Sequence, residues 1–460
     1  MMFAGCAHIP PKAAEGCLLP AYPLFVGENQ PRSFRAFVSP NNVVTFSEHL
    51  KAQMSKHRLI SAVGEDKRRE VLILSGGSQN GAFGAGFFHN RYKMGKVPTY
   101  DVVTGVSTGA LQSTFVFLAN QSQTDPSKLD RRYPPYMMRN SELGSPGKSE
   151  TEDLALAYAI EREGDLMQVS QFGIASVLFD GSLASFKPIR KLANGLITDD
   201  TLRRVAKEGR KGRMLIVGVT NLNDGLGYAI DLTKLAVDAG DNVAAIRDCY
   251  VDALLASSSV PPGVPPVSLR TRVEVHDSVK LTSAAMNSMD TTSLYIDGGV
   301  RYGVFFHQLR DTVSAEMPSN VTLIVNGGLF SEQWKDENGE LVEKWSALNV
   351  GMRAVSLLTN QIYRFSVDSV ENYALEHGEL KVAFISNQNL TVLTTSPEDW
   401  PPDNENKAKK MKCAEAFNED KRDSPQEFHA GYMRCLLDYG QARATKDPWN
   451  KIVPPKPPSP

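Results

Sequence analysis

The pentapeptide Gly105-Val106-Ser107-Thr108-Gly109 limits what this chain can fold into more than any other stretch. It follows the apolar pair Val102-Val103 and precedes an apolar run from Ala110-Leu111 to Leu118-Ala119. A strand, a serine between two glycines and then a helix is the spacing of a nucleophile elbow. Gly105 and Gly109 relieve crowding at such a turn, and the serine oxygen is pushed outward. In a chain with 35 glycines the pentapeptide is weak by itself, so its apolar flanks carry the argument. Upstream, Val71-Leu72-Ile73-Leu74 runs into Ser75-Gly76-Gly77-Ser78-Gln79-Asn80-Gly81. A glycine-rich turn between a strand and a helix leaves backbone N–H groups free for an anionic oxygen. The loop lacks the Lys-Ser/Thr ending of a nucleotide-binding loop. Together the two pieces point to acyl transfer through a serine ester. Close helix–strand packing is the competing use of the same glycines.

A serine nucleophile needs a proton acceptor. The eight histidines are His8, His49, His57, His89, His276, His307, His377 and His429. None follows an apolar strand into a loop convincingly; His307, after Phe305-Phe306, comes nearest, and a packed or surface role suits it better. Asp297 is the stronger candidate. In Leu294-Tyr295-Ile296-Asp297-Gly298-Gly299 an apolar strand ends in an acid followed by two glycines. Such an aspartate either points into a glycine-lined cleft or forms an Asp-Gly turn.

Taken in order, Leu74 to Gly81, Gly105 to Ala110 and Asp297-Gly298-Gly299 resemble the patatin-like phospholipase family. Ala256-Ser257-Ser258-Ser259-Val260-Pro261-Pro262-Gly263-Val264-Pro265-Pro266 resembles its Ser/Pro segment. Pro188-Ile189-Arg190 and Thr220 to Gly225 also fit, and the resemblance runs from Arg69 to Gly328. It implies a layered α/β/α domain with a mostly parallel central sheet, plus helical additions. It also implies a Ser-Asp dyad without histidine, acting on lipid esters with no metal or organic cofactor. Ser107 is then the nucleophile and Asp297 the base. Gly76, Gly77, Ser78 and Gly81 form the oxyanion loop, and Gly105 and Gly109 frame the elbow. One departure stands out: Ser78 and Asn80 replace a glycine and a basic residue of the family loop. Ser78 still offers its N–H, but the cation that would favour anionic head groups is missing.

Apolar strands recur at 71–74, 102–103, 215–219, 294–296, 321–325 and 382–385, with helical stretches between them. That alternation itself reads as an α/β sheet. Asn223-Asp224-Gly225 is a turn signal that predicts an antiparallel pairing of 215–219 with 228–230. The expected organisation is a tether over 1–45, a catalytic domain over 69–330, a mainly helical extension over 331–447 and a Pro-rich tail over 448–460. Within the catalytic domain, 121–182 reads as either a lid or a surface insertion. Val350, Ala354, Leu357, Leu358 and Ile362 form an apolar stripe at helical spacing, which predicts a core-facing helix.

With a net charge of −2, no large positive field is available for nucleic acid. The expected partners are a lipid or other ester substrate and a membrane surface. Phe3-Ala4-Gly5-Cys6 resembles the end of a bacterial lipoprotein signal, although only Met1-Met2 precede it. If the resemblance holds, Cys6 carries a lipid anchor in the cell envelope; if it is accidental, the protein is cytoplasmic. Cys413 and Cys435 are spaced to close a loop in an oxidising compartment, and Cys249 reads as a buried free thiol. Two functions therefore stand side by side: a serine lipid acyl hydrolase, and a non-catalytic lipid- or partner-binding lipoprotein on the same fold.

Overall fold

The structure, a computed structural model, describes residues 12–14, 16–24, 43–61, 69–121, 130–141, 146–169, 182, 184–261, 263–275, 288–305, 319–327, 347–377, 380–385, 391–395, 408–420, 427–445 and 448–450. Its centre is a nine-stranded sheet. The strands are β1 (Leu19–Pro23), β2 (Arg69–Leu74), β3 (Val102–Val106), β4 (Met214–Asn221), β5 (Gly227–Asp231), β6 (Val267–Glu274), β7 (Ser288–Asp297), β8 (Ser319–Val325) and β9 (Leu380–Phe384). Their order across the sheet is β9-β8-β2-β3-β4-β5-β1-β6-β7. The first five run parallel. Beyond them the pairing is mixed, and β4 and β5 form the antiparallel pair that the Asn-Asp-Gly turn predicts.

Helices cover both faces. The principal ones are α1 (Phe46–Ser61), α2 (Gly81–Lys93), α3 (Thr108–Leu118), α4 (Glu150–Tyr158), α5 (Arg247–Ser257), α6 (Ala347–His377) and α7 (Ala430–Thr445). Leu72 and Leu74 of β2 pack into a core shared with Phe83, Phe87, Phe115, Tyr250 and Leu437. Their neighbours Val71 and Ile73 pack into a second core with Phe46, Leu50, Phe305, Val367 and Val370. Burial on both faces is why β2 reads as an unbroken apolar run rather than an alternating one. The fold is a layered α/β/α structure.

Three sequence expectations are corrected here. Leu19–Pro23, read as part of a tether, is a strand between β5 and β6. Cys249, read as a free thiol, is bonded to Cys17, which the docking of β1 brings beside α5. Cys413 and Cys435 are bonded as their spacing allowed. Strands join the helices of the extension: β9 pairs parallel with β8, and Thr391–Thr395 pairs antiparallel with Ala408–Lys412. The start of the tail is docked, since Asn450 N–H donates to the Val382 carbonyl of edge strand β9 at 2.7 Å. Cys6 and residues 451–460 lie outside the described residues.

The described part of 121–182 packs into the body of the domain. On α4, Leu154, Leu156 and Tyr158 are buried against the main core. Beneath them Arg131 pairs with Glu150 at 2.7 Å and with Asp153, while Arg204 reaches Glu150 at 2.6 Å. Burial raises the Asp153 carboxyl to about 6 despite Arg131.

Candidate active site

The sheet curls so that its last strand returns to its middle. β5 occupies one edge of β4 from Ile216 to Thr220. On the other edge, β3 pairs with β4 up to Val106 opposite Gly218, and β7 takes over with Asp297 opposite Val219. Ser107 follows Val106, so the expected nucleophile and the expected base hang from adjacent residues of one strand. No long loop is needed to bring them together.

Ser107 has φ 55° and ψ −128° and stands at the N-terminus of α3. Three described non-glycine residues have positive φ, and two of them, Ser78 and Ser107, line this site. Such strain persists only where surrounding contacts impose it. Here the contacts come from the serine-rich end of α5. Ser257 Oγ accepts from Ser107 N–H at 3.1 Å and donates to the Gly218 carbonyl at 2.6 Å. Ser258 Oγ donates to the Ser107 carbonyl at 3.0 Å. The Ser259 carbonyl accepts Asp297 N–H at 2.9 Å. The Ser/Pro segment thus ties both residues to the same strand. Close approach explains Gly109: a Cβ there would stand 2.5 Å from the Leu74 carbonyl oxygen.

The glycine-rich loop lies against the elbow. Gly77 has φ 148°, and a Cβ there would meet the Asn326 backbone at 2.4 Å. Ser78 keeps a left-handed φ of 49°, a conformation that glycine adopts with less strain. Among the described residues no hydrogen bond consumes the N–H groups of Gly76 and Gly77. Gly81 differs from expectation: its N–H is engaged within the turn by the Ser78 carbonyl, and it opens α2 as a packing residue. Asn326 supports the loop, its Nδ2 donating to the Ser75 carbonyl at 3.1 Å and to Gln112 Oε1 at 3.2 Å. Gln112 Nε2 donates in turn to the Gly81 carbonyl at 2.7 Å. Ser78 Oγ donates to Glu427, and His429 N–H donates to Gln79 Oε1 at 3.0 Å, so the C-terminal segment clamps the loop.

Asp297 is 2% exposed and Ser107 6%. Burial raises the Asp297 carboxyl to about 7, partly offset by the Ser107 hydroxyl and by Gly299 N–H. Gly299 N–H donates to Oδ1 at 2.6 Å, whereas Oδ2 has no partner of hydrogen-bond geometry. The Ser107 contact is therefore a loose one, as resting catalytic pairs often are before substrate tightens them. A carboxyl that titrates near neutrality beside a serine can accept that serine's proton far more readily than an ordinary one.

Sequence reading found Ser107, Asp297, Gly76, Gly77 and Ser78, and the structure brings all five together. It missed the individual tasks of Ser257 and Ser258, and also Asn326, Gln112 and Glu427. The Asn-Gly pair that ends β8 was a usable signal for Asn326; the other residues carry no motif. His307 lies outside the described residues. The apolar stripe on α6 corrects its expectation: Val350, Leu357 and Leu358 are exposed, as is Phe365, while Tyr363, Val367 and Val370 face the body.

The family model described as patatin-like phospholipase matches residues 72–310, a span that holds the loop, the elbow and Asp297. No curated protein matches the chain. A solved structure, VipD from Legionella pneumophila, is similar at 14% identity and a TM-score of 0.26, over 82% of this chain and 67% of that one.

Proposed function

The chain belongs to the patatin-like phospholipase family, and from that premise we propose that it is a serine-dependent lipid acyl hydrolase with Ser107 as nucleophile and Asp297 as base. The observation that carries the reading is the pairing of a strained elbow serine with a buried carboxyl raised to about 7. Ser107 Oγ attacks the ester carbonyl carbon as Asp297 takes its proton. The N–H groups of Gly76, Gly77 and Ser78 hold the oxyanion, each such donor typically contributing about 3 kcal/mol. The N-terminus of α3 favours the developing negative charge. The intermediate collapses as Asp297 protonates the departing alcohol, leaving an acyl ester on Ser107. Water then attacks that ester and gives a proton to Asp297; the acyl–Oγ bond breaks as Asp297 returns the proton to Ser107, and the fatty acid leaves.

Asn80 stands where the family loop carries a cation, which supports neutral or zwitterionic head groups over anionic ones. The exposed Leu358 and Phe365 on α6, a helix that also reaches the site through Tyr363, support contact with a lipid surface. No helix among the described residues is long and apolar enough to cross a membrane. We place the protein in a bacterial envelope, anchored through Cys6; the two disulfides support an oxidising compartment.

The clamp of Glu427 and His429 on the oxyanion loop also favours a second reading, a lipid-binding protein without turnover. Hydrolysis of p-nitrophenyl esters and of zwitterionic and anionic phospholipid vesicles, by wild type and Ser107→Ala, separates the two. Turnover that Ser107→Ala abolishes is the expected result. Equal rates in both proteins reject Ser107 as nucleophile, and no turnover by folded wild type selects the binding reading.

A further inference from the structure

Two polar groups stand beside Ser107 with bonding capacity to spare. Asp297 Oδ2 is buried and unbonded. The hydroxyl of Tyr363, a residue 5% exposed, forms no hydrogen bond with a described residue. Buried polar atoms are nearly always satisfied, and an exception such as Asp297 Oδ2 is a mark of a catalytic role.

Tyr363 belongs to α6, outside the matched family region of residues 72–310. Its position is tightly set. A Cβ on Gly303 would stand 2.8 Å from the Tyr363 Cα, and one on Gly327 would stand 3.0 Å from its ring. Gly303 N–H also donates to Ser366 Oγ at 3.2 Å, one turn further along α6. The phenol oxygen is thereby driven into the corner between loop, nucleophile and base. A Cβ on Gly76 would stand 1.9 Å from that oxygen and 2.8 Å from Ser107 Cβ. One on Gly299 would stand 3.2 Å from it and 2.9 Å from Asp297 Oδ1. Burial, and then the charge of Asp297, hold the phenol far above its ordinary pKa, so it stays protonated and acts as a donor rather than a base.

We infer that Tyr363 is a further catalytic residue, whose phenol O–H donates a hydrogen bond to the oxyanion of the tetrahedral intermediate on Ser107. This rests on the serine-ester reading above. Asp297 remains the proton acceptor, and no proton leaves Tyr363. The hydroxyl joins the N–H groups of Gly76 and Gly77 from the Gly76 side. An unbonded donor at rest that gains a charged acceptor in the transition state favours that state selectively.

Tyr363→Phe tests this, because it removes one oxygen and keeps the ring packed on Gly303 and Gly327. Wild type, Ser107→Ala and Tyr363→Phe are compared on a short p-nitrophenyl ester, with kcat, KM, the pH profile and the rate of fluorophosphonate labelling of Ser107. The expected result is a fall in kcat of about 100-fold with KM nearly unchanged. Labelling slows in parallel, while the midpoint of the pH profile stays near its wild-type value. An unchanged or higher kcat overturns the inference, the latter marking Tyr363 as an obstruction. A loss that comes with a shifted midpoint also overturns it, because Tyr363 then acts through Asp297. Wild type without Ser107-dependent turnover removes the serine-ester reading and this inference together. Ser107-dependent wild-type turnover matched by Tyr363→Phe removes only the inference.

Discussion

Replacing Asp297 by Asn should change how stability depends on pH in a way that isolates the buried carboxyl. The carboxyl is raised from an ordinary 3.8 to about 7, chiefly by burial. Between those values the folded state holds the proton and the unfolded state has lost it. Folded wild type therefore binds more protons than unfolded, and its stability falls as pH rises through this window. Each pH unit corresponds to about 1.4 kcal/mol. From pH 5 to 7, wild type should lose about 2 kcal/mol relative to Asp297→Asn, because the slope halves on reaching the folded pKa. Above about pH 8 the difference should be flat. The amide keeps the Gly299 N–H bond through its own oxygen and adds a buried N–H₂ without a ready acceptor. That cost does not vary with pH, so it offsets the whole curve and leaves the slope intact. Urea unfolding of both proteins at half-unit steps from pH 5 to 8.5 measures the difference directly, and every other titrating group cancels. A difference that is constant across this range, or that grows in favour of wild type with rising pH, would refute the assignment of Asp297 as a carboxyl raised by burial.

The same titration governs turnover with the opposite consequence. Asp297 must be ionised to accept the Ser107 proton, so kcat/KM should rise about tenfold per unit below pH 7 and level off above it. A profile that is flat from pH 5 to 9 excludes Asp297 as the base. Elsewhere, Arg131→Met strips the cation from the buried carboxylates Glu150 and Asp153 and should destabilise the fold by about 3–5 kcal/mol. A loss under about 1 kcal/mol in urea unfolding would show that Arg204 and protonation of Asp153 already satisfy the cluster.

The geometry of the candidate site was legible because its signals are local. Strand, glycines, serine and helix sit within a few residues, as do the strand and turn at Asp297, and backbone chemistry fixes the composition of both. The central strands were legible because burial on two faces makes them continuous apolar runs. β1 was not: Pro20 and Pro23 each lack a ladder N–H, and five residues carry too little periodicity to stand out from a tether. The Cys17–Cys249 bond links residues 232 apart, a distance over which sequence carries no pairing signal. On α6, apolar residues occur on both faces. Periodicity identified the helix and one stripe, but it could not tell that Tyr363, Val367 and Val370 would be the buried set. Tyr363 itself is an ordinary residue for an amphipathic helix, and only the return of α6 across Gly76, Gly303 and Gly327 gives it a place beside Ser107.

The attachment of Ser107 and Asp297 to Gly218 and Val219 sets where this fold tolerates change in chain length. More than a hundred residues separate elbow from aspartate in sequence, yet their spacing is measured along one peptide bond of β4. Insertions in the intervening connections lengthen the path without moving either end. One residue gained or lost between Gly218 and Val219, or near the end of β7, is different. It would turn the aspartate to the opposite face of the sheet and leave the serine intact but idle. Natural variation and laboratory redesign of this scaffold thus have wide freedom in its connections and almost none at two adjacent residues of an interior strand.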